Sequence, residues 1–303
     1  MKELYPMRGV ITTVNTPFNE DLTINWSDLR RTAEAALEAG VSGFLAPCFA
    51  SEIDELTNEE RYRMVTELLD VTHQAGHGIV MPNVRGKTKD DCVEQAKRYL
   101  DLGVDGVNIF MPTVTEESYR ELVAAVDELH PPFLCLQDTK DNELRAPFVK
   151  SMFDEFESFR CIKIETANPG PDYTAILKAT DGRLNVSGSW GSDQMIEAFD
   201  RGIHALMPSG LFELFVNVYR LYHEKSREAA MKLFFDILPI IVFTRQSDSA
   251  NLSLHKRYFQ RLGLYTTTKF RAPFAVDAVQ AHYIEEMIDR ALYIRDHMDN
   301  YWK

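Results

Sequence analysis

Cysteine is scarce in this chain of 303 residues, and the four present, Cys48, Cys92, Cys135 and Cys161, form no CxxC spacing. That argues against a disulfide framework and against a thiolate zinc site. Three of them lie inside apolar runs, where a reduced thiol behaves as a small hydrophobe. The eight histidines include no HxH or HExxH pair, and His73 and His77 flank Gly76, where a helix is ending. Neither a metal nor another cofactor is expected. No apolar run approaches the roughly 20 residues needed to cross a bilayer, and the stretch Met1 to Arg8 lacks the basic and apolar regions of a signal peptide. Positive charge is also in deficit, with 33 Lys and Arg against 46 Asp and Glu, a net charge of -13, and the basic residues are scattered. Such a surface repels phosphate backbones and anionic lipid, so neither nucleic acid nor a membrane is expected as partner, and a cytoplasmic location is. GxGxxG and GxxxxGK[ST] phosphate loops are both missing.

What is present is a core-forming composition, 45% hydrophobic, arranged as short apolar runs alternating with amphipathic stretches. Eight runs can be read: Val10–Val14, Gly43–Cys48, Ile79–Val84, Val107–Met111, Phe133–Gln137, Cys161–Glu165, Leu184–Ser189 and Ala205–Ser209. They are apolar nearly throughout, as expected of strands covered on both faces. Between them, Leu29, Ala33, Ala36 and Leu37 make one helical stripe, Cys92, Ala96, Tyr99 and Leu100 a second, and Val149, Met152, Phe153 and Phe156 a third. Thr57-Asn58-Glu59-Glu60 reads as a capping box. Gly40, Gly103 and Gly202 recur just beyond helices and before strands, where a positive φ is needed.

Eight βα units predict a closed (β/α)8 barrel over residues 1–223. Residues 224–303 turn purely helical, over Ala229–Phe243, Ser253–Leu262 and Ala275–Arg295. With no Gly/Ser/Pro-rich linker before them, they are expected to pack on the barrel as part of one structural unit.

In a barrel of this type chemistry sits at the carboxyl ends of the strands. The sixth run, Cys161-Ile162-Lys163-Ile164-Glu165, alternates so that Cys161, Lys163 and Glu165 share one face. If the isoleucines meet the helices, the lysine and glutamate point into the barrel mouth. A buried lysine is costly unless paired or neutral, and the neutral amine is the form that attacks a carbonyl. A buried Lys163–Glu165 ion pair with no chemistry explains the same pattern.

Gly9-Val10-Ile11-Thr12, Thr16-Pro17-Phe18, Ala39-Gly40-Val41-Ser42-Gly43, the Glu52 to Arg61 segment and Ile162-Lys163-Ile164-Glu165 follow one another in an order and spacing that resembles the dihydrodipicolinate synthase and N-acetylneuraminate lyase family. The resemblance implies a lyase with a Schiff-base lysine, here Lys163, acting on a 2-oxo acid. It also implies a homotetramer, a dimer of dimers. Tyr258, Phe259, Tyr283 and Tyr293 in the helical extension read as exposed aromatics suited to such an assembly.

Two departures stand out. The family's Gly-Thr-Thr-Gly-Glu, which holds the substrate carboxylate and relays a proton, is here Cys48-Phe49-Ala50-Ser51-Glu52. Backbone N–H groups of Ala50 and Ser51 are still expected to bind the carboxylate, beside Phe49, but the relay hydroxyl is gone. The family's strand-five tyrosine aligns with Gln137, an amide that cannot shuttle a proton near neutral pH. Gln137-Asp138, Lys163-Ile164-Glu165-Thr166 and Gly188-Ser189-Trp190 resemble most the 2-keto-3-deoxy sugar-acid dehydratases of the L-2-keto-3-deoxyarabonate type, and Arg245-Gln246-Ser247 fits that branch. On this reading Glu165 replaces the tyrosine as acid/base, Gln137 assists it, and Asp138, Gly188 and Ser189 contact substrate.

Three alternatives stay open. One is an aldolase acting like the synthase or the sialic-acid lyase. A second is a 2-oxo-acid-binding protein that has lost turnover. The third is a phosphate-gripping barrel using Ser187 to Ser192 and Pro208-Ser209-Gly210, which lacks an accompanying lysine or arginine.

Overall fold

The computed structural model of the chain describes residues 2–110, 115–139, 144–189 and 192–303. The expectations that fall on Met111, Trp190 and Gly191 lie outside the described residues. Among the described residues there are nine short parallel strands: β1 (Gly9–Thr13), β2 (Gly43–Leu45), β3 (Ile79–Val80), β4 (Asn83–Val84), β5 (Val107–Ile109), β6 (Leu134–Thr139), β7 (Phe159–Glu165), β8 (Asn185–Ser189) and β9 (Ala205–Met207). They occupy eight positions of a barrel, because β3 and β4 continue one another across Met81-Pro82. The expected third run is thus divided where Pro82 offers no N–H to the ladder. The ring still closes there. Met81 N–H donates to Phe44 O at 2.9 Å, while Val80 O and Pro82 O accept from Asp105 and Asn108 N–H at 3.2 and 2.9 Å.

Helices follow the strands in alternation: α1 (Trp26–Ala39), α2 (Asn58–Ala75), α3 (Lys89–Asp101), α4 (Glu116–Asp127), α5 (Ala146–Glu155), α6 (Pro169–Ala179), α7 (Met195–Asp200) and α8 (Phe212–Arg220). Their starts obey local chemistry. The Thr57 hydroxyl accepts from Glu60 N–H at 3.2 Å and the Glu60 carboxylate accepts from Thr57 N–H at 3.0 Å, the capping box read from sequence. Gly40 ends α1 at φ +99°, a left-handed value that strains any residue with a Cβ. The outward faces of the strands and the inward stripes of the helices, such as Leu29, Ala33 and Leu37, form one continuous core. The four cysteines are buried and form no disulfide.

Beyond a π turn at Leu221–Lys225 come α9 (Arg227–Thr244), α10 (Asp248–Arg261), α11 (Ala278–Asp296) and α12 (Asp299–Trp302). Two of the aromatics read as exposed are not: Tyr258 and Phe259 are buried, the latter stacked on Phe212 of α8 at 5.7 Å between ring centroids. Hydrophobic burial on the barrel accounts for them, whereas Tyr283 and Tyr293 do face solvent.

The extension is tied to the barrel by a buried ion pair. Lys256 Nζ on α10 lies 2.6 Å from Glu52 Oε1, and both side chains are almost fully removed from solvent. Lys256 also donates to Lys269 O and packs against the Phe18 and Phe270 rings. Glu52 Oε2 accepts the N–H groups of Arg271 and Ala272 at 2.9 Å each. Burial pushes the Lys256 ammonium down to about 8, outweighing the pull of Glu52. Such a pair adds little over an apolar replacement, but breaking one half leaves a stranded charge. Lys256→Met is expected to cost about 3–5 kcal/mol in urea unfolding, and Glu52→Gln added to it to recover a large part of that. A single-variant loss below about 1 kcal/mol would show the pair to be solvated in solution.

Candidate active site

At the carboxyl ends of the strands lies a cavity of about 400 Å³. Alternation along β7 decides what reaches it. Ile162 and Ile164 turn to the helices, while Lys163 and Glu165 turn inward as expected. Lys163 Nζ donates to Glu165 Oε2 at 3.3 Å, with the lysine side chain 6% and the glutamate 19% exposed. The lysine is therefore deep, with its partner nearer the mouth.

The Glu165 carboxylate ends a chain of hydrogen bonds that crosses five neighbouring strands. Asn108 Nδ2 on β5 donates to Asn83 Oδ1 on β4 and to Gln137 Oε1 on β6, the latter at 3.0 Å. Gln137 Nε2 in turn donates to Glu165 Oε2 at 2.5 Å. From the other side Ser189 Oγ on β8 donates to Glu165 Oε1 at 3.0 Å. Amide, ammonium and hydroxyl donors converge on one acceptor, which gives the carboxylate a single orientation. Gln137, Lys163, Glu165 and Ser189 are thus brought together as the sequence reading anticipated. Cys48 lies near this group, where burial pushes its thiol up against the pull of Lys163, keeping it uncharged.

Three residues expected at the substrate are placed elsewhere. Asp138 follows Gln137 on β6 and points to the opposite face, where its Oδ1 accepts from Leu144 N–H at 2.7 Å. Strand parity moves it to the helix layer. Gly188 pairs with Ile164 and Leu206, so it too faces outward, and a Cβ there would stand 2.9 Å from the Tyr173 hydroxyl. The glycine makes room for a helix.

Ser51 is the third. The segment Phe49–Ser51 is a 3-10 turn in which Ser51 N–H already bonds Cys48 O at 2.9 Å. Its hydroxyl accepts from Cys48 N–H and donates to Val14 O at 2.5 Å. Phe49 and Ala50 do line the cavity, Phe49 half-exposed at the mouth with its ring edge-on to Phe274.

Other lining groups were not foreseen. Thr13 Oγ1 on β1 donates to Ser209 Oγ at 2.7 Å, closing the wall opposite the carboxylate chain in strand order. Asn83 lies on β4 and Arg85 directly follows that strand, and Asp248 and Asn251 come from α10. An amide inside an otherwise apolar run at inward parity was the available signal for Asn83 and for Asn108, which bonds it. Nothing local in sequence brings α10 to the mouth. Among the described residues no cluster of three His, Cys, Asp or Glu could hold a metal, and no helix is long and apolar enough to cross a membrane.

A deep amine beside a carboxylate, at the carboxyl ends of (β/α)8 strands, is an arrangement that Schiff-base lyases use. The dihydrodipicolinate synthetase family model matches residues 6–129. An uncharacterized DapA-like lyase of Halobacterium salinarum is 26% identical over 236 residues, covering 74% of this chain and 75% of that protein. The 4-hydroxy-tetrahydrodipicolinate synthase of Salinibacter ruber is 30% identical over 122 residues, 40% of either chain. Among solved structures, the dihydrodipicolinate synthase of Rhodopseudomonas palustris superposes with a TM-score of 0.87 at 21% identity, over 96% of this chain and 100% of that one. A sialic acid aldolase of Ruminococcus gnavus does so at 0.86 and 14% identity, over 97% and 99%. Over residues 6–129 the chain is similar to the dihydrodipicolinate synthetase family, and over about three quarters of its length to DapA-like lyases, on a barrel fold shared with solved members.

The Ser51 contacts set an expectation for the turn. Ser51→Ala removes the bond to Val14 O and the acceptor for Cys48 N–H, both buried, and should lower stability by about 1–3 kcal/mol in denaturant titration. A loss under a few tenths would mean that water replaces the hydroxyl.

Proposed function

We propose that this lyase condenses Lys163 with a 2-oxo acid and acts on a 2-keto-3-deoxy sugar acid. The observation that carries the reading is the Lys163 amine in the cavity, 3.3 Å from Glu165, with no other lysine among the described residues that line it. The neutral amine attacks the C2 carbonyl and water is expelled, leaving a protonated imine. That cation draws electrons from C3, so a C3 proton leaves and an enamine forms. In dehydration the enamine expels the C4 hydroxyl, which departs as water after taking a proton. In aldol cleavage no C3 proton is lost first: from the protonated imine itself the C3–C4 bond breaks, its electron pair forming the enamine, while the C4 hydroxyl loses its proton and C4 leaves as an aldehyde. On this reading Glu165 carries these protons, which is supported by its bond from Gln137, an amide that cannot ionise usefully. Dehydration is favoured by the resemblance of the Gln137, Lys163-to-Thr166 and Ser189 segments to the dehydratase branch. Gln137 in the tyrosine position also favours a second reading, a barrel that binds 2-oxo acids without turnover.

Treatment with pyruvate and borohydride, followed by peptide mass analysis, should place the adduct on Lys163. An adduct on Lys178 or another lysine would remove the central residue. In Glu165→Gln the imine should still form while turnover falls by roughly two to four orders of magnitude. Near-normal turnover would leave Glu165 a counter-ion. A screen of 2-keto-3-deoxy sugar acids and sialic acids separates dehydration, which releases no pyruvate, from aldol cleavage, which does. No turnover on any of them, with the imine still trapped, favours the binding protein.

A homotetramer is proposed as well. Phe235 and Val242 on α9 and Val279, Tyr283 and Tyr293 on α11 expose apolar surface that assembly would cover. Sedimentation should show four copies at micromolar concentration, and a stable monomer would refute it.

A further inference from the structure

The cavity is larger than a small oxo acid needs. Pyruvate has six heavy atoms and fills well under half of 400 Å³ at roughly 20–30 Å³ per heavy atom, the scale of a water molecule in the liquid. Some property of the remaining wall must meet the rest of the substrate. Of the described residues that line the cavity, two carry positive charge, Lys163 and Arg85. Lys163 faces Glu165 and is assigned to the imine.

Arg85 directly follows β4, at the carboxyl end of its barrel position. Its backbone is pinned, since Arg85 N–H donates to Gln95 Oε1 at 2.6 Å. The guanidinium lies over the Phe110 ring at 5.2 Å, which restrains its plane. Its carboxylate partner is Asp54, with Arg85 Nη2 2.7 Å from Asp54 Oδ2. Asp54 is 55% exposed against 24% for Arg85, so the partner sits out in solvent, where water weakens the pair. A guanidinium has five N–H donors in a fixed fork, and this contact uses Nη2 alone. The position thus offers a planar, oriented cation on the cavity wall, of the kind that reads a carboxylate through two parallel hydrogen bonds.

We propose that Arg85 determines specificity by binding a carboxylate at the distal end of the substrate, so that the preferred substrates are 2-oxo acids with a second, terminal carboxylate. This rests on the Schiff-base reading. The Lys163 end holds the oxo acid group common to all substrates, and Arg85 reads the tail. Asp54 occupies the guanidinium from outside and competes with the substrate for it.

The test uses the whole protein and borohydride trapping on Lys163, read as the concentration giving half-maximal adduct. Three probes are compared: pyruvate, 2-oxopentanoate and 2-oxoglutarate, the last two of equal carbon number but differing in the terminal carboxylate. 2-Oxoglutarate should be favoured over 2-oxopentanoate by about 10- to 100-fold, the scale of a charge-assisted bidentate contact. In Arg85→Met that preference should collapse toward unity, and in Arg85→Lys, which keeps the charge but not the fork, it should survive in part. Asp54→Asn should raise the preference, a gain that misfolding does not mimic. Equal half-trapping by the two five-carbon acids, or a preference that persists in Arg85→Met, overturns the proposal. So does inorganic phosphate competing with 2-oxoglutarate alone and at lower concentration than acetate, which would assign the wall to a phosphoryl tail. Failure to trap any of the three in the wild-type protein would instead remove the Schiff-base reading itself.

Discussion

The Glu165 carboxylate is the point on which the inside of this barrel depends. It accepts from Lys163, Gln137 and Ser189, and Gln137 is itself held by Asn108. A charged pair so far from water is tolerated only when the remaining donors and acceptors are met. Each member stands on a neighbouring strand, so the chain of bonds exists only when every strand keeps its register. Slipping β7 by one residue would turn Ile164 inward and send Lys163 to the helices. Polar satisfaction and strand register therefore specify one another.

The same alternation sorts the remaining polar residues of these strands. Asp138 and Gly188 are adjacent in sequence to cavity residues, yet each serves the outer layer, one bonding Leu144 N–H and the other clearing space near Tyr173. Strand runs, helix stripes, capping residues and the inward face of β7 were legible because each is encoded by periods of two or 3.6 and by local caps. Motif likeness does not sort β6 and β8 by face: Gln137 and Ser189 reach the cavity, while Asp138 and Gly188 stand on the outer face. Asn83 and Asn108 were readable by strand parity, as amides in apolar runs. The Ser51 contacts were not, since its partner Val14 is 37 positions away.

Long-range contacts explain the rest of what sequence left hidden. Glu52 closes the turn after β2 at a left-handed φ of +56°, and its carboxylate reaches Lys256, 204 positions later. That pairing seats α10 so that Asp248, Asn251 and Leu252 form one wall of the cavity. Tyr258 and Phe259 of the same helix are consumed in packing, which is why aromatics that look available in sequence are covered. Hydrophobic burial binds the extension, and the ion pair selects where it binds.

The chemistry follows from where the hydrogen-bond chain stops. An amide passes hydrogen bonds along but cannot release a proton at neutral pH, so Gln137 transmits orientation without storing charge. A tyrosine in its place would end the chain on an ionisable group one strand earlier. Here the first group able to exchange a proton is Glu165, two residues from the amine and facing the same space. On the proposed reading, replacing the tyrosine by glutamine moves the proton carrier from β6 to β7, onto the strand that holds the imine. Carrier and imine then share one rigid element, whose relative placement is set by a single strand repeat and does not depend on a loop. A hydroxyl pair, Thr13–Ser209, stands on the other wall of the same cavity. The cavity is polar, with side-chain donors on β1, β6, β7 and β8 and at Ser209 beyond β9.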